Sequence, residues 1–184
     1  MSSQSAKETI RGIEHVGITV PNHEDAIAFF QAAFDAEVLF SLTDKTREPL
    51  THEALGPKNG LRKGTAIVAV SMLRLRNGPN VEVFEIDRPG GQPGQGISDY
   101  GISHFSVTVD DIDAATRAFA AAGGTLLEGP YDLGDQEEGP GNRGQFGQAP
   151  WGLLIEFEQL PAPMDYDGHP DAKRWLPNPE SEEV

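Results

Sequence analysis

Hydrophobic and polar residues alternate in two stretches of the chain that are nearly copies of each other. IEHVGITVPNHEDAIAFFQAAF begins at Ile13 and ISHFSVTVDDIDAATRAFAAAG begins at Ile102, so the two align without a gap at an offset of 89 residues. In each stretch an alternating run, typical of a β-strand, leads to Asn22 or Asp111, which are residue types that cap helix N-termini. Apolar residues at helical spacing follow, so each copy predicts a strand and then a helix.

The alternation returns after each helix, which predicts three further strands in each copy. We expect these strands at residues 36–43, 64–76 and 80–86, and at 125–128, 143–149 and 152–159. The predicted fold class is therefore α+β, with two paired β-α-β-β-β modules.

The modules set the expected domain organisation. We expect a single domain at residues 11–160, made of module 1 (11–87) and module 2 (100–160), followed by an acidic, Pro-rich tail at 161–184. Residues 44–63 are an insertion of the first module, and the segment PLTHEAL within it predicts a short helix.

Composition narrows the choice of partners and chemistry. Fourteen Lys and Arg against 29 Asp and Glu give a formal net charge of -15, which argues against nucleic acid and anionic membranes as partners. The longest apolar run, TAIVAVSML, is too short to span a bilayer, so we expect a cytoplasmic protein. With no cysteines, metal ligands must come from His and carboxylates.

The first strand of each copy has one apolar face and one small, polar face. The polar faces carry His15 with Thr19, and His104 with Ser106 and Thr108. Because the apolar face must lie under the helix, we expect the polar face to line a cavity and both histidines to meet in one cleft. Thr19, Ser106 and Thr108 are the predicted substrate contacts.

The last strands of the two copies supply one equivalent carboxylate each. Aligning NVEVFEI with LIEFEQL places Glu82 opposite Glu156. Two His and two Glu suit one divalent ion (Zn, Ni, Co, Mn or Fe) with two positions open to water or substrate. The alternative is a pair of hydrogen-bonded core histidines with two surface glutamates, but the equivalent positions in a repeat favour the metal site.

Other polar residues are assigned to solvent. Glu85 and Glu158 are expected to be solvated charges on strand faces, and His23 is expected to be a solvent residue in the first helical turn. Arg143, at the end of a long glycine-rich loop, is a candidate for binding a substrate carboxylate or phosphate, with a loop salt bridge as the alternative.

IEHVGITVPNHEDAIAFF, PNVEVFE, GISHFSVTVDDIDAATRAF and WGLLIEFEQLP together resemble the vicinal oxygen chelate superfamily. That superfamily includes glyoxalase I, methylmalonyl-CoA epimerase, extradiol dioxygenases and bleomycin-resistance proteins. The resemblance implies a cupped mixed sheet around a divalent metal, with the ligand positions falling on His15, Glu82, His104 and Glu156. It also implies a homodimer, in which the four ligands come either from one chain or from two.

Within the superfamily, the resemblance favours particular chemistry. Extradiol dioxygenases bind their metal through two His and one carboxylate, which here would be His15, His104 and Glu156. Glyoxalase I and the epimerase have a fourth ligand, at the position of Glu82. The implied function is a divalent-metal-dependent lyase or isomerase that moves a proton next to a carbonyl through a metal-chelated enediolate, with Glu156 as acid or base. The alternatives are a ring-cleaving dioxygenase and a non-catalytic drug-binding protein.

Two departures from these relatives bear on the substrate. Bacterial glyoxalase I carries a glutathione-contacting Arg and an Asn where this chain has Thr19 and Ile86, which argues against a glutathione hemithioacetal. Residues 56–81 contain no acid, so the epimerase's catalytic glutamate before the second ligand has no counterpart. The expected substrate is therefore an unspecified small carbonyl compound.

Overall fold

The computed structural model describes residues 13–88, 97–98, 102–164 and 175–177. The outermost residues of the two predicted modules, the linker around 89–96 and most of the predicted tail lie outside the described residues. Within the described part of the chain, no helix is long and apolar enough to cross a membrane.

Each module forms a five-stranded mixed sheet and its helices. The first module contains β1 (His15–Val20), α1 (His23–Phe34), β2 (Glu37–Thr43), β3 (Leu50–Thr51), α2 (His52–Asn59), β4 (Ala66–Arg74) and β5 (Asn80–Ile86). The second contains β6 (His104–Thr108), α3 (Ile112–Ala121), β7 (Thr125–Leu126), β8 (Tyr131–Asp132), β9 (Arg143–Gln148) and β10 (Leu154–Gln159). The α+β class and the repeated module are confirmed; the short strands β3 and β8 were not predicted.

The two sheets share one topology. The strand orders are β1-β5-β4-β2 and β6-β10-β9-β7, with β3 pairing with β4 and β8 pairing with β9. The first and last strands run parallel in the same register, since Gly17 lies opposite Glu82 and Ser106 lies opposite Glu156. The predicted equivalence of Glu82 and Glu156 is therefore confirmed by the pairing.

Helices α1 and α3 begin where the sequence predicts. The Asn22 side chain accepts a hydrogen bond from the Asp25 backbone N–H, and the Asp111 side chain accepts one from Ala114. The insertion also contains its predicted short helix, α2, which begins within PLTHEAL and runs on to Asn59.

A single aromatic core joins the modules through their helices. Phe29 of α1 meets Phe119 of α3 edge to face, with ring centroids 5.3 Å apart, and Phe34 stacks on Phe157 of β10 at 6.0 Å. Each aromatic pair adds about 0.5–1.5 kcal/mol beyond the area that it buries. Because the apolar face of each sheet packs towards these helices, the opposite face of each sheet points away from the shared core.

The end of the last strand holds the start of the helix in each module. Glu85 Oε2 accepts a hydrogen bond from the His23 N–H at 2.7 Å, and Gln159 Oε1 accepts one from the Ile112 N–H at 2.8 Å. Glu85 also forms an ion pair with Lys45 at 2.9 Å. The prediction that Glu85 is a solvated charge is therefore wrong, because the first N–H groups of a helix need acceptors.

His23 is buried, so its assignment to solvent is also wrong. Its side chain occupies the position equivalent to the fully buried Ile112, which the repeat could have revealed. The ring Nε2 lies 2.9 Å from Ser71 Oγ, which in turn lies 2.7 Å from Ser41 Oγ. Burial lowers the pKa of His23, although the carboxylates of Glu24 and Glu85 oppose this shift.

This lowered pKa predicts that acid destabilises the fold. The contribution of neutral His23 is fully present above its unfolded pKa of about 6.5 and is lost as the pH falls through the lower folded pKa. We expect His23→Ile to flatten the fall in the free energy of unfolding between pH 7 and 5, by at most about 1.4 kcal/mol per pH unit. Urea unfolding across this range measures it, and equal slopes in the variant and the wild type would reject the assignment.

Candidate functional site

Each sheet carries one His–Glu pair on the face that points away from the helices. In the first pair, His15 Nε2 lies 3.5 Å from Glu82 Oε2, and the side chains are 40% and 19% exposed. In the second pair, His104 Nε2 lies 3.4 Å from Glu156 Oε2, with exposures of 30% and 18%. These are partly accessible side chains on a sheet surface, and neither histidine lies in the apolar core.

The preceding residue orients each imidazole. The Nδ1 of His15 hydrogen-bonds the Glu14 carboxylate, which also accepts a hydrogen bond from the Asn80 amide. At the equivalent position, Ser103 Oγ lies 2.9 Å from His104 Nδ1. The hydrogen bond from His15, followed by that from Asn80, lowers the pKa of Glu14. A carboxylate beside Nδ1 is the outer contact that metal-binding histidines commonly make, with Nε2 as the metal ligand.

The two pairs do not meet within one chain. Among the described residues, no three His, Asp or Glu side chains are grouped closely enough to hold a metal ion. The sequence left open whether the four ligands come from one chain or from two, and the described part of a single chain does not group them. The apolar face of each sheet packs on the shared helical core, and each His–Glu pair lies on the other face of its own sheet.

The predicted substrate contacts divide between the two faces of the sheets. Thr19, Ser106 and Thr108 are exposed residues on the faces of the His–Glu pairs, where a ligand can reach them. Arg143 lies on the opposite face, where its guanidinium binds Asp113 of α3 at 3.1 and 3.4 Å. We therefore do not keep Arg143 as a substrate-binding residue; it makes a salt bridge instead.

Beside the second pair lies a buried carboxylate that was predicted to be solvated. Glu158 is only 5% exposed and accepts a hydrogen bond from Ser106 Oγ at 2.8 Å. Its alternation with Glu156 along β10 already placed it on the same face. Burial, and then the carboxylates of Glu156 and Glu158, raise the pKa of Tyr131 on the neighbouring strand β8, so its phenol stays protonated at neutral pH.

A cavity of about 790 Å³ lies where the end of α1 and the β4–β5 turn approach β6. Ser106 and Thr108 line this cavity, but none of the four His and Glu residues of the pairs does.

The repeated fold and its paired His–Glu residues define the class of protein. The model of the Glyoxalase/Bleomycin resistance protein/Dioxygenase superfamily matches residues 14–139, and the chain belongs to that superfamily. The resemblance noted in the sequence is thereby confirmed.

Individual relatives share most of the length of the chain. The chain is 30% identical over 173 residues to a 2-epi-5-epi-valiolone epimerase from Actinomyces sp, which covers 90% of this chain and 88% of the relative. A glyoxalase family protein from Bacillus cereus superposes with a TM-score of 0.63 at 19% identity, over 85% of this chain and 98% of that one. A mutant fosfomycin resistance protein FosX from Listeria monocytogenes, complexed with Mn(II), superposes with a TM-score of 0.51 at 17% identity, over 82% and 90%.

Proposed function

We propose that this protein is a divalent-metal-dependent epimerase that moves a proton on the carbon next to the carbonyl of a small ketone. The observation that carries the proposal is the His–Glu pair repeated at equivalent positions of two sheets. The relative at 30% identity, which is named a 2-epi-5-epi-valiolone epimerase, supports the choice of an isomerase over a lyase.

The donor atoms of the pairs are suitable for a metal. Two ligands bound to one ion at about 2.0–2.2 Å lie roughly 3 to 4 Å apart, and the two Nε2–Oε2 distances are 3.5 and 3.4 Å. The second contact of each imidazole matches the outer contacts that metal-binding histidines make. His15, Glu82, His104 and Glu156 would hold the ion, which the Mn(II) complex of FosX supports at the level of the fold.

We infer that two copies of the chain complete each site. The two pairs are not grouped within the described part of one chain, and the aromatic core lies on the other face of each sheet. In a two-fold symmetric homodimer, the first pair of one copy can face the second pair of the other, and the symmetry then creates two equivalent sites.

A bound divalent ion would supply Lewis-acid stabilisation of negative charge on the substrate oxygens. The protein supplies the proton transfer: Glu156 removes the proton from one side of the carbon next to the carbonyl, and water then delivers a proton to the other side of that carbon. Return on the other side of the carbon inverts its configuration. The hydrogen bonds at Nδ1 keep His15 and His104 in position while this happens.

The position of Glu82 favours this chemistry over the dioxygenase alternative. The resemblance to ring-cleaving dioxygenases implies a three-ligand site, in which Glu82 would lie away from the metal. Here Glu82 lies beside His15 just as Glu156 lies beside His104. We therefore assign both carboxylates to the same site.

Glu156→Gln should abolish turnover, because an amide cannot accept the proton. We expect no deuterium to enter the substrate from D₂O, measured by NMR, while most of the metal remains bound through the other three ligands, measured by elemental analysis. Glu128→Gln, which removes an exposed carboxylate of the same module, is the matched control. Deuterium incorporation at the wild-type rate by the Glu156→Gln variant would contradict the role of Glu156.

The homodimer predicts that two inactive variants restore each other. One variant carries His15→Ala and Glu82→Ala, and the other carries His104→Ala and Glu156→Ala. Co-expressed, they should regain about a quarter of wild-type activity, since half of random dimers are mixed and one of the two sites in a mixed dimer is intact. Metal bound to mixed dimers without any activity would indicate a different chemistry, and no restored metal or activity would place the site within one chain.

Glu14→Ala should weaken metal binding by about 10-fold or more, because the loss of an outer contact frees the imidazole to rotate. Competition with a chelator of known affinity measures this directly. Glu48→Gln, which removes another exposed charge of the first module, serves as the control. An unchanged affinity would mean that the Glu14–His15 hydrogen bond does not serve the metal.

A further inference from the structure

The two His–Glu pairs are equivalent, but the residues beside them are not. In the first module, the ring of Phe84 lies over the backbone of Gly17. A Cβ added to Gly17 would lie 3.5 Å from this ring. The equivalent residues of the second module are Glu158 and Ser106, which form a hydrogen bond of 2.8 Å. The same pair of positions therefore makes an apolar contact in the first module and a polar contact in the second.

The strands that pair with β5 and β10, which are β4 and β9, also differ between the modules. Val70 lies opposite Phe84, whereas Gly144 lies opposite Glu158. The missing side chain makes room for Tyr131, whose ring would come within 3.1 Å of a Cβ at Gly144. Ser106, Glu158 and Tyr131 thus form a polar row on the face that carries Glu156.

The repeat acts as an internal control for the meaning of this polar row. Burying a carboxylate is costly unless hydrogen bonds compensate it, and Glu158 is 5% exposed. Phe84 shows that the fold accepts an apolar residue at this position. The same strand order and register thus form with either residue at this position, and the buried carboxylate points to a role in binding a ligand.

The hydrogen-bonding character of the polar row selects a kind of ligand. The Ser106 hydroxyl donates its proton to Glu158, so its lone pairs can still accept a hydrogen bond from a ligand. The Glu158 carboxylate is an acceptor, and the protonated phenol of Tyr131 can donate. Hydroxyl groups both donate and accept, so several of them match such a row. Arg143, the residue expected to bind an acidic group, lies on the other face.

We propose that the polar row of Ser106, Glu158 and Tyr131 binds the hydroxyl groups of an uncharged polyhydroxylated ketone and so determines substrate specificity. This inference rests on the proposed epimerase function and deepens it. The apolar first module then covers the C–H side of the substrate, while the second module holds its hydroxyl groups.

Two ketones test this inference and separate it from the proposed function. An inosose, which is a pentahydroxycyclohexanone, offers a full set of hydroxyls; 2-hydroxycyclohexanone keeps the adjacent oxygens and the exchangeable proton but lacks the rest. We expect kcat/KM for deuterium exchange to favour the inosose. The double variant Ser106→Gly with Glu158→Phe, which copies the first module, should reduce this preference by about 10- to 100-fold, as loss of hydrogen bonds to a charged group does.

A second variant and a control make the result independent of folding. Glu158→Gln keeps the size of the side chain and should weaken inosose binding, measured by calorimetry on the metal-loaded protein, in the same direction. Glu48→Gln should leave the preference unchanged. Exchange of both ketones without preference would overturn the inference and leave the epimerase proposal standing, whereas exchange of neither ketone would overturn both. Preference for a phosphorylated ketone would contradict the uncharged substrate.

Discussion

The contact between the two helices governs the rest of this structure. Phe29 and Phe34 of α1 pack against Phe119 and Phe157 of the second module, so the modules share one core instead of forming two. Modules of about 60 to 75 residues can each bury only a modest apolar surface on their own. Sharing the core makes the pair stable, and it also fixes which face of each sheet remains free for chemistry.

The free faces explain why the site is divided. Each sheet presents His and Glu at equivalent positions, with Nε2–Oε2 distances of 3.5 and 3.4 Å, but on faces that point away from the common core. The arrangement turns the repeat into two half-sites on one chain. A symmetric assembly is then a direct way to obtain a complete site, because each copy offers what the other needs.

Comparison of the modules separates structural residues from functional ones. Glu85 and Gln159 differ in charge, yet both accept a hydrogen bond from the first N–H of a helix, so that position serves the fold. Phe84 and Glu158 occupy equivalent positions of the same topology but differ in polarity, so that position distinguishes the two modules. Each module thus serves as a reference for the other, because equivalent positions can be compared within one chain.

Much of the fold follows from local patterns. The period of the hydrophobic residues predicted strand β5 with its observed bounds, and Asn22 and Asp111 marked the helix starts. The burial of His23 and Glu158 was missed, since a polar residue in a pattern looks solvated unless its partner is known. Their partners, Ser71 and Ser106, lie 48 and 52 residues away along the chain.

The sequence by itself determined the repeat, the class of fold and the pairing of each histidine with one glutamate. These features depend on periodicity and register, which are properties of neighbouring residues. Only the tertiary structure decided that the two His–Glu pairs are not grouped in the part of one chain that it describes, and that Arg143 binds Asp113. The packing of two amphipathic modules can turn their polar faces together or apart, and this choice depends on how distant aromatic side chains fit.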